Sequence, residues 1–337
     1  MTVVNEAEET VDEDTGSPSR PTGEPRRRGG WNPRRLGLRL LGTVAALWVL
    51  VSLTFLGLHV MGNPVLQMVG ETATDEQIEA LSRAHGYDRP LLVQYTDFLT
   101  SVTSGNFGSS LRYGRPALEV VIERLPATFL LAGAGMAGGV ALGAAAGWLA
   151  VFGRRDRGAG IPLAVLTGLQ SFPAFFKGIV LMLIFAVLLG WLPTGGFTSW
   201  AGLVLPATTL ALATAPAVGR VWRASLVGAE RAPHVRTAIA KGLSPRRIRR
   251  THIERNALGP VTTLVGLQLA TLLGGALIVE QVFGWPGIGQ LLFHAIESQD
   301  YPVVLAGTFV IGVVFVVMTL LTDELGRVID PRTGAQR

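Results

Sequence analysis

The sequence contains no cysteine and only five histidines, and these shortages exclude several kinds of site. Without cysteine the chain can form neither a disulfide framework nor a thiolate metal site. The histidines lie at positions 59, 85, 234, 252 and 294, without the spacing of a metal-ligand set, so we expect no metal site. Lysine is also scarce, and no Gly-x-x-x-x-Gly-Lys-Ser/Thr phosphate loop is present. We therefore expect no catalytic residue for nucleotide hydrolysis in this chain and no cofactor bound by it.

Charged residues are few as well, at 16% of 337 positions against 49% hydrophobic residues. A soluble domain of this size rarely needs so large an apolar fraction. The apolar residues are clustered in runs that are each long enough to cross a hydrocarbon core of about 30 Å as a helix. An open sheet would leave backbone groups unsatisfied in lipid, so we predict an all-α integral membrane protein with about six transmembrane helices. The runs are Leu40 to Val60, Ala127 to Phe152, Ile161 to Leu192, Trp200 to Val218, Ala257 to Val279 and Pro302 to Thr322.

The basic residues alternate along the chain and predict which way it faces. Seven Arg precede Leu40, three lie between Gly153 and Gly160, and ten Arg or Lys lie between Gly219 and Asn256. The segments between these are poor in basic residues. The positive-inside rule then places both termini in the cytoplasm, which is the N-in/C-in arrangement of an even number of spans. The same distribution explains the net charge of +5 by the orientation of the chain in the membrane, so we expect no nucleic acid as a partner.

This topology divides the chain into five parts, whose boundaries we predict from composition and hydropathy. The acidic first part lacks the apolar residues needed to fold, and Thr74-Asp-Glu-Gln77 in the third part is a capping box that predicts a short helix. The parts are a disordered cytoplasmic tail (1–35), transmembrane helix 1 (36–60), an extracytoplasmic segment (61–126), a five-helix core (127–325) with a cytoplasmic loop (226–256), and a cytoplasmic C-terminus (326–337).

The residues that begin and end helices in the cytoplasmic loop at 233–260 predict a helix, a turn and a second helix. We predict a short helix ending near Lys241, Gly242 in the left-handed position, Ser244 as N-cap and Pro245 at the first position of the next helix. Val235, Ala238 and Ile239 form one apolar face of the first helix, and we expect this face to dock into a groove of a partner.

The same loop resembles the coupling loop of ABC importer permeases. The family pattern is Glu-Ala-Ala, three residues and then Gly, and its peptide and nickel branch commonly has the Arg-Thr-Ala that stands here at 236–238, followed by Gly242. Gly259 before Pro260 departs from the family's Leu. Other blocks resemble the B-type subunits of dipeptide, oligopeptide and nickel importers: Gly86-Tyr-Asp-Arg-Pro-Leu91, Gly105-Asn-Phe-Gly-Ser-Ser110, Glu280-Gln-Val-Phe-Gly-Trp-Pro-Gly-Ile-Gly289, Asp300-Tyr-Pro-Val303 and Asp330-Pro-Arg332.

The resemblance implies a permease of the type I, MetI-like fold in the cytoplasmic membrane. This chain would form half of a path for peptides or related small solutes, and a second homologous permease would form the other half. Two cytoplasmic ATPase subunits would use ATP and Mg and bind the coupling loops, and an extracytoplasmic binding protein would deliver the solute. The residues expected to contact the ATPase are Arg236, Thr237, Ala238, Ile239, Gly242 and Leu243.

Three alternatives stay open on the residues alone. The basic loop could lie on anionic lipid as an amphipathic segment. A secondary transporter driven by an ion gradient would show internal repeats and charges at the membrane midplane, and we find no clear repeat. A membrane scaffold without transport activity would leave the coupling-loop pattern unexplained.

Two charged residues are candidates for the translocation path. Lys177 is an ionisable residue well inside the third run, where it could attract a peptide carboxylate or pair with an acid of a partner permease. Glu280, at the outer end of the fifth run, could shape an outer gate or cap the outer loop. Pro173 predicts a kink in the third run, and Trp285 is interpreted as an anchor at the membrane interface.

Overall fold

The computed structural model describes residues 33–60, 74–153 and 158–329, and the regular elements in these ranges are helices joined by turns and loops. Residues 1–32 of the predicted N-terminal tail, the segment 154–157 and the block Asp330-Pro-Arg332 lie outside the described residues, whereas residues 33–35, predicted as the end of the tail, already belong to the first helix. In chain order the helices are α1 (Pro33–Val60), α2 (Asp75–His85), α3 (Leu91–Ser104), α4 (Ala117–Ile122), α5 (Leu125–Phe152), α6 (Ile161–Leu169), α7 (Ala174–Leu181), α8 (Ala201–Glu230), α9 (Pro233–Ala240), α10 (Pro245–Arg247), α11 (Arg255–Phe283), α12 (Ile288–Glu297) and α13 (Tyr301–Ile329). Two π-helical segments, Met182–Leu188 and Ile248–Glu254, continue α7 and join α10 to α11.

Four of the described helices are long and apolar enough to cross a membrane unbroken, and two bent pairs bring the total to six. The four lie in α1, in α4 with α5, in α8 and in α13. The bent pairs are α6 with α7, and the segment from Pro245 to Leu269 with the rest of α11. The predicted number of about six spans therefore agrees with the structure when each bent pair is one span.

The third predicted span, Ile161 to Leu192, is not one helix. It bends by 110° between α6 and α7, where Pro173 has the extended backbone of an N-cap and no N–H to continue a helix. Leu163 of α6 packs on Gly219 of α8, and the side-chain oxygen of Gln170 accepts a hydrogen bond of 2.7 Å from Arg220. The start and the end of α6 therefore both contact α8 near Gly219 and Arg220.

The core is formed where α5 crosses α8, and a row of glycines makes this crossing close. A Cβ on Gly143 would lie 2.5 Å from the carbonyl oxygen of Ala215, and one on Gly147 would lie 2.6 Å from that of Gly219. Gly135 and Gly139 repeat this arrangement nearer the outer end of α5, against Leu210 and Thr214. Small residues allow membrane helices to approach and gain van der Waals contact, as the Gly-rich and Ala-rich sequence predicts.

The extracytoplasmic segment folds as a cap of α2, α3 and α4. The predicted capping box begins α2, since the backbone N–H of Thr74 donates to the side chain of Gln77 at 3.2 Å. The cap is fixed to the last span by Asp300, whose buried carboxylate accepts hydrogen bonds from the Ser110 hydroxyl at 2.5 Å and the Leu111 N–H at 3.2 Å. The Tyr301 hydroxyl donates to the carbonyl of Leu58 at 2.7 Å, which joins the same corner to α1.

The close crossing of α5 and α8 at the glycines predicts that one added methyl group destabilises the protein. Gly143→Ala should destabilise the protein by about 1–3 kcal/mol, because the new Cβ meets a backbone oxygen that cannot rotate away. Gly133→Ala is the matched control on the same helix, where a Cβ would meet nothing within 4 Å. Thermal unfolding in detergent should show a lower Tm for the first variant and an unchanged or slightly higher Tm for the second. Equal Tm values would contradict the close crossing.

Candidate functional site

The cytoplasmic loop folds as the sequence predicts. Helix α9 ends at Ala240, and Gly242 adopts the left-handed conformation with φ of 71°. Its N–H donates to the carbonyl of Ile239 at 2.9 Å, and Ser244 is the N-cap of the turn that begins at Pro245. Hydrogen bonds from the end of α9 thus close a compact corner between α8 and α11.

The face of α9 that points outward differs from the predicted docking face. Val235 and Ala238 are each 3% exposed and pack into the chain's own core with Trp222, Leu226 and Ile253. Ile239 alone of the predicted trio is exposed, at 61%. The prediction that all three residues dock into a partner was wrong, because the apolar face with spacing i, i+3 finds its burial partner in this chain.

The exposed side of the corner contains most of the other predicted coupling residues. Leu243 is half-buried, and its N–H donates to the carbonyl of Ala238 at 3.3 Å across the turn. A side chain at Gly242 would meet nothing within 4 Å, so this position is open to a partner. The exposed residues of the corner are Arg236, Thr237, Ile239, Ala240, Lys241 and Gly242.

Beside this corner lies a strongly basic groove with a volume of about 610 Å³. Its three exposed arginines, Arg246, Arg247 and Arg250, make no ion pair among the described residues, whereas the half-buried Arg249 pairs with Glu254 at 3.6 Å. The groove gives the corner a positive field that attracts acidic groups, whether on a protein or on a lipid surface. Its lining residues are Ser244, Arg246, Arg247, Arg249, Arg250 and Thr251.

Two contacts of His234 fix α9 to the chain on the other side of the corner. Its ring Nε2 lies 3.1 Å from the carbonyl oxygen of His252 in the π-helical segment and 3.2 Å from the side-chain Nδ2 of Asn256 in α11. Together with the buried Val235 and Ala238, these contacts make α9 a rigid projection of the membrane helices. Neither contact could be inferred from the sequence, since a lone histidine or asparagine carries no spacing signal.

Glu280 lies at the other end of the molecule and caps a helix within this chain. It is fully buried, and its carboxylate accepts a hydrogen bond of 2.6 Å from the N–H of Gly289 in the first turn of α12. Gly287 and Gly289 leave room for the carboxylate, since a Cβ at either position would overlap with it or with the backbone of Leu277. A negative charge at a helix N-terminus is stabilised by the helix dipole. Of the two roles considered for Glu280, the geometry supports the cap.

The turn that Glu280 supports is also joined to the outer end of α5. Trp285 is fully buried, and its indole N–H donates to the carbonyl of Ala127 at 2.9 Å, so it is not the interfacial anchor that the sequence suggested. The hydroxyl of Thr128 accepts a hydrogen bond from the N–H of Ile288 at 2.9 Å. The turn between α11 and α12 is therefore attached to α5 by two hydrogen bonds.

Lys177 lies in the first turns of α7, where its side chain is 7% exposed. None of the ion pairs within the described ranges involves it. Its neighbour Gly178 packs on Thr209 of α8 and Phe283 of α11, away from both ends of α8. The structure thus places Lys177 next to a residue that packs on the end of α11, and its place on a translocation path stays a prediction.

Comparison with protein families places these features in a known context. The family described as binding-protein-dependent transport system inner membrane component matches residues 128–335. A second, the N-terminal part of binding-protein-dependent transport system membrane components, matches residues 34–132. The two matches together cover residues 34–335 of the 337 residues.

Similar proteins of known name are permeases. A glutathione transport system permease protein GsiC from Pectobacterium atrosepticum is 41% identical over 297 residues, which is 87% of this chain and 96% of that protein. The protein of the same name from Escherichia coli K12 is 37% identical over 294 residues, with the same coverage of both chains.

Two solved structures share the fold. An inward-facing MetNI methionine ABC transporter matches with a TM-score of 0.52 and 18% identity, over 63% of this chain and 96% of that chain. An amino acid ABC transporter with histidines matches with a TM-score of 0.50 and 16% identity, over 64% of this chain and 94% of that chain. At such low identity the likeness concerns the fold, which confirms the predicted type I permease architecture.

The cap at α12 generates a prediction about Glu280. Glu280→Ala should lower the free energy of unfolding by about 1–3 kcal/mol, because it leaves the buried N–H of Gly289 without an acceptor. Glu297→Ala is the control, since this carboxylate is exposed at the other end of α12. Denaturation in detergent compares the two variants, and a Glu280 variant as stable as the control would exclude the cap.

Proposed function

The chain belongs to the family of binding-protein-dependent transport system inner membrane components, and from this membership we propose that it forms half of a translocation path for small peptides of the glutathione kind. It is the transmembrane permease of an ABC importer and a multi-pass protein of the inner membrane. It is not an enzyme, since ATP hydrolysis belongs to the partner ATPase. The names of the similar permeases support the solute class.

The proposed assembly contains a second homologous permease, two cytoplasmic ATPase subunits that use ATP and Mg, and an extracytoplasmic solute-binding protein. The observation that carries the contact with the ATPase is the exposed side of α9, with Ile239 at its centre and the basic groove beside it. An exposed apolar side chain on a rigid corner, ringed by charge, has the composition of a protein-binding surface.

The geometry also indicates how the ATPase would act on the permease. The exposed side of α9 receives the partner, while its inner side is packed on Trp222 and Leu226 of α8. Approach of two ATPase subunits on binding ATP would therefore move α9 and the cytoplasmic end of α8 together. Such rigid-body movement of packed helices is a common basis of alternating access.

The solute class gives Lys177 a chemical role in the proposal. A peptide carries a carboxylate at its C-terminus, and Lys177 is the charged residue within the six apolar runs of the sequence. A buried cation without an acidic partner among the described residues favours an anion that comes from outside the chain. The carboxylate of a peptide in transit would satisfy it, and an acid of the second permease would do so between transport cycles.

A substitution on the exposed side of the corner should weaken binding of the ATPase without unfolding the permease. Ile239→Asp should abolish copurification of the ATPase while the permease stays folded, because a charge replaces the apolar centre of the docking surface. Leu92→Asp makes a similar change at a 77% exposed residue of the extracytoplasmic cap and should leave the ATPase bound. Retention of the ATPase by the Ile239 variant would exclude this surface, and its absence from the unaltered complex would exclude the proposed assembly.

The role of Lys177 is tested by uptake of labelled glutathione into proteoliposomes that contain the whole importer. Lys177→Met should raise KM about tenfold, the loss expected for one ionic contact of about 1.4 kcal/mol. Lys177→Arg keeps the charge and should retain most of the affinity. If the Met variant transports with an unchanged KM, the side chain does not contact the solute.

A further inference from the structure

Behind the docking surface, the guanidinium of Arg249 lies over two neighbouring aromatic rings of α5. Its guanidinium carbon lies 5.2 Å from the ring centre of Trp148 and 5.6 Å from that of Phe152. A cation over the faces of aromatic rings at this distance is attracted by their negative faces. The contact joins the cytoplasmic end of α5 to the π-helical segment that follows α9 and α10.

A carboxylate completes the cluster. The indole N–H of Trp148 donates to Oε1 of Glu254 at 2.9 Å, and Nε of Arg249 lies 3.6 Å from the same oxygen. The side chains of Arg249 and Glu254 are 32% and 27% exposed, so solvent screens them less than it screens the surface ion pairs of the cap. We name Trp148, Phe152, Arg249 and Glu254 the rear cluster.

The π-helical segment explains why these residues meet. Arg249 and Glu254 are five positions apart, and in an α-helix side chains at this spacing point in different directions, whereas neighbours are three or four apart. The wider π turn, with its i to i+5 hydrogen bonds, aligns them. Ile248 and Ile253 have the same spacing and are both buried beneath them. The π segment thus presents one charged row to α5 and one apolar row to the core.

From the rear cluster, α5 reaches the other side of the membrane without interruption. It is a helix of 28 residues, and it is packed on α8 along its glycine row. At its outer end, Ala127 and Thr128 make the two hydrogen bonds that attach the turn between α11 and α12. One rigid helix therefore connects the cytoplasmic corner with the outer turn that Glu280 caps.

We propose that the rear cluster is the joint through which movement of the coupling corner is transmitted to α5, and that α5 carries this movement to the outer turn. The proposal rests on the proposed function, because the corner moves only if an ATPase binds it. Trp148 and Glu254 are then positioning residues, which touch neither the ATPase nor the solute. Loss of these side chains would leave an importer that assembles and hydrolyses ATP but takes up little solute per ATP hydrolysed.

The test uses the complete importer in proteoliposomes and three measurements: ATPase retention, ATP hydrolysis, and glutathione taken up per ATP hydrolysed. Trp148→Phe keeps the ring and removes the N–H, and Glu254→Gln keeps the shape and removes the charge. We expect each to lower uptake per ATP about tenfold, within the usual range of coupling energies between sites, with the ATPase retained. Because the two side chains share one interaction, the double variant should be no worse than either single variant.

Arg255→Gln is the matched control, because it removes an exposed charge next to Glu254 that belongs neither to the basic groove nor to the rear cluster. It should keep the uptake per ATP of the unaltered protein. Two results would overturn the proposal: an unchanged ratio in both rear-cluster variants, or loss of the ATPase from them, which would make the cluster a support of the docking surface. Failure of the unaltered chain to retain an ATPase would instead refute the proposed function, so the two failures are distinguishable.

Discussion

The close contact between α5 and α8 is the interaction on which the rest of the structure depends. Lipid offers membrane helices no hydrophobic gain on association, so they must find their attraction in contact between backbones and small side chains. The glycines at 135, 139, 143 and 147 permit that contact along the middle of α5. The outer turn is attached to one end of this pair and the coupling corner to the other, and neither would have a fixed position without it.

Features governed by local sequence were predictable, and features governed by distant neighbours were not. The turn at Gly242, the N-cap at Ser244 and the start of α2 follow from conformational preferences of a few adjacent residues, and the structure confirms them. The docking face of α9 was predicted wrongly because periodicity identifies an apolar face without saying what covers it. Val235 and Ala238 are covered by Trp222 and Leu226 of the same chain.

The same limit applies to the third span and to the outer turn. A run of apolar residues from 161 to 192 satisfies the length criterion for one span, but the criterion ignores direction, and the chain bends by 110° within the run. Trp285 was assigned to the membrane interface from its residue type, whereas a carbonyl on α5 takes its indole N–H inside the protein. Trp148 and Glu254 are separated by 106 residues, and no pattern in a single sequence joins them.

Helix α6 has a consequence for how deeply the protein sits in the bilayer. It contacts α8 at Gly219 and Arg220, and its exposed side chains Ile161 and Val165, one turn apart, are apolar. Apolar side chains arranged in this way suit a helix at the boundary between headgroups and acyl chains. A helix at that boundary would keep the bend at Pro173 near the membrane surface when a change in bilayer thickness tilts the long spans.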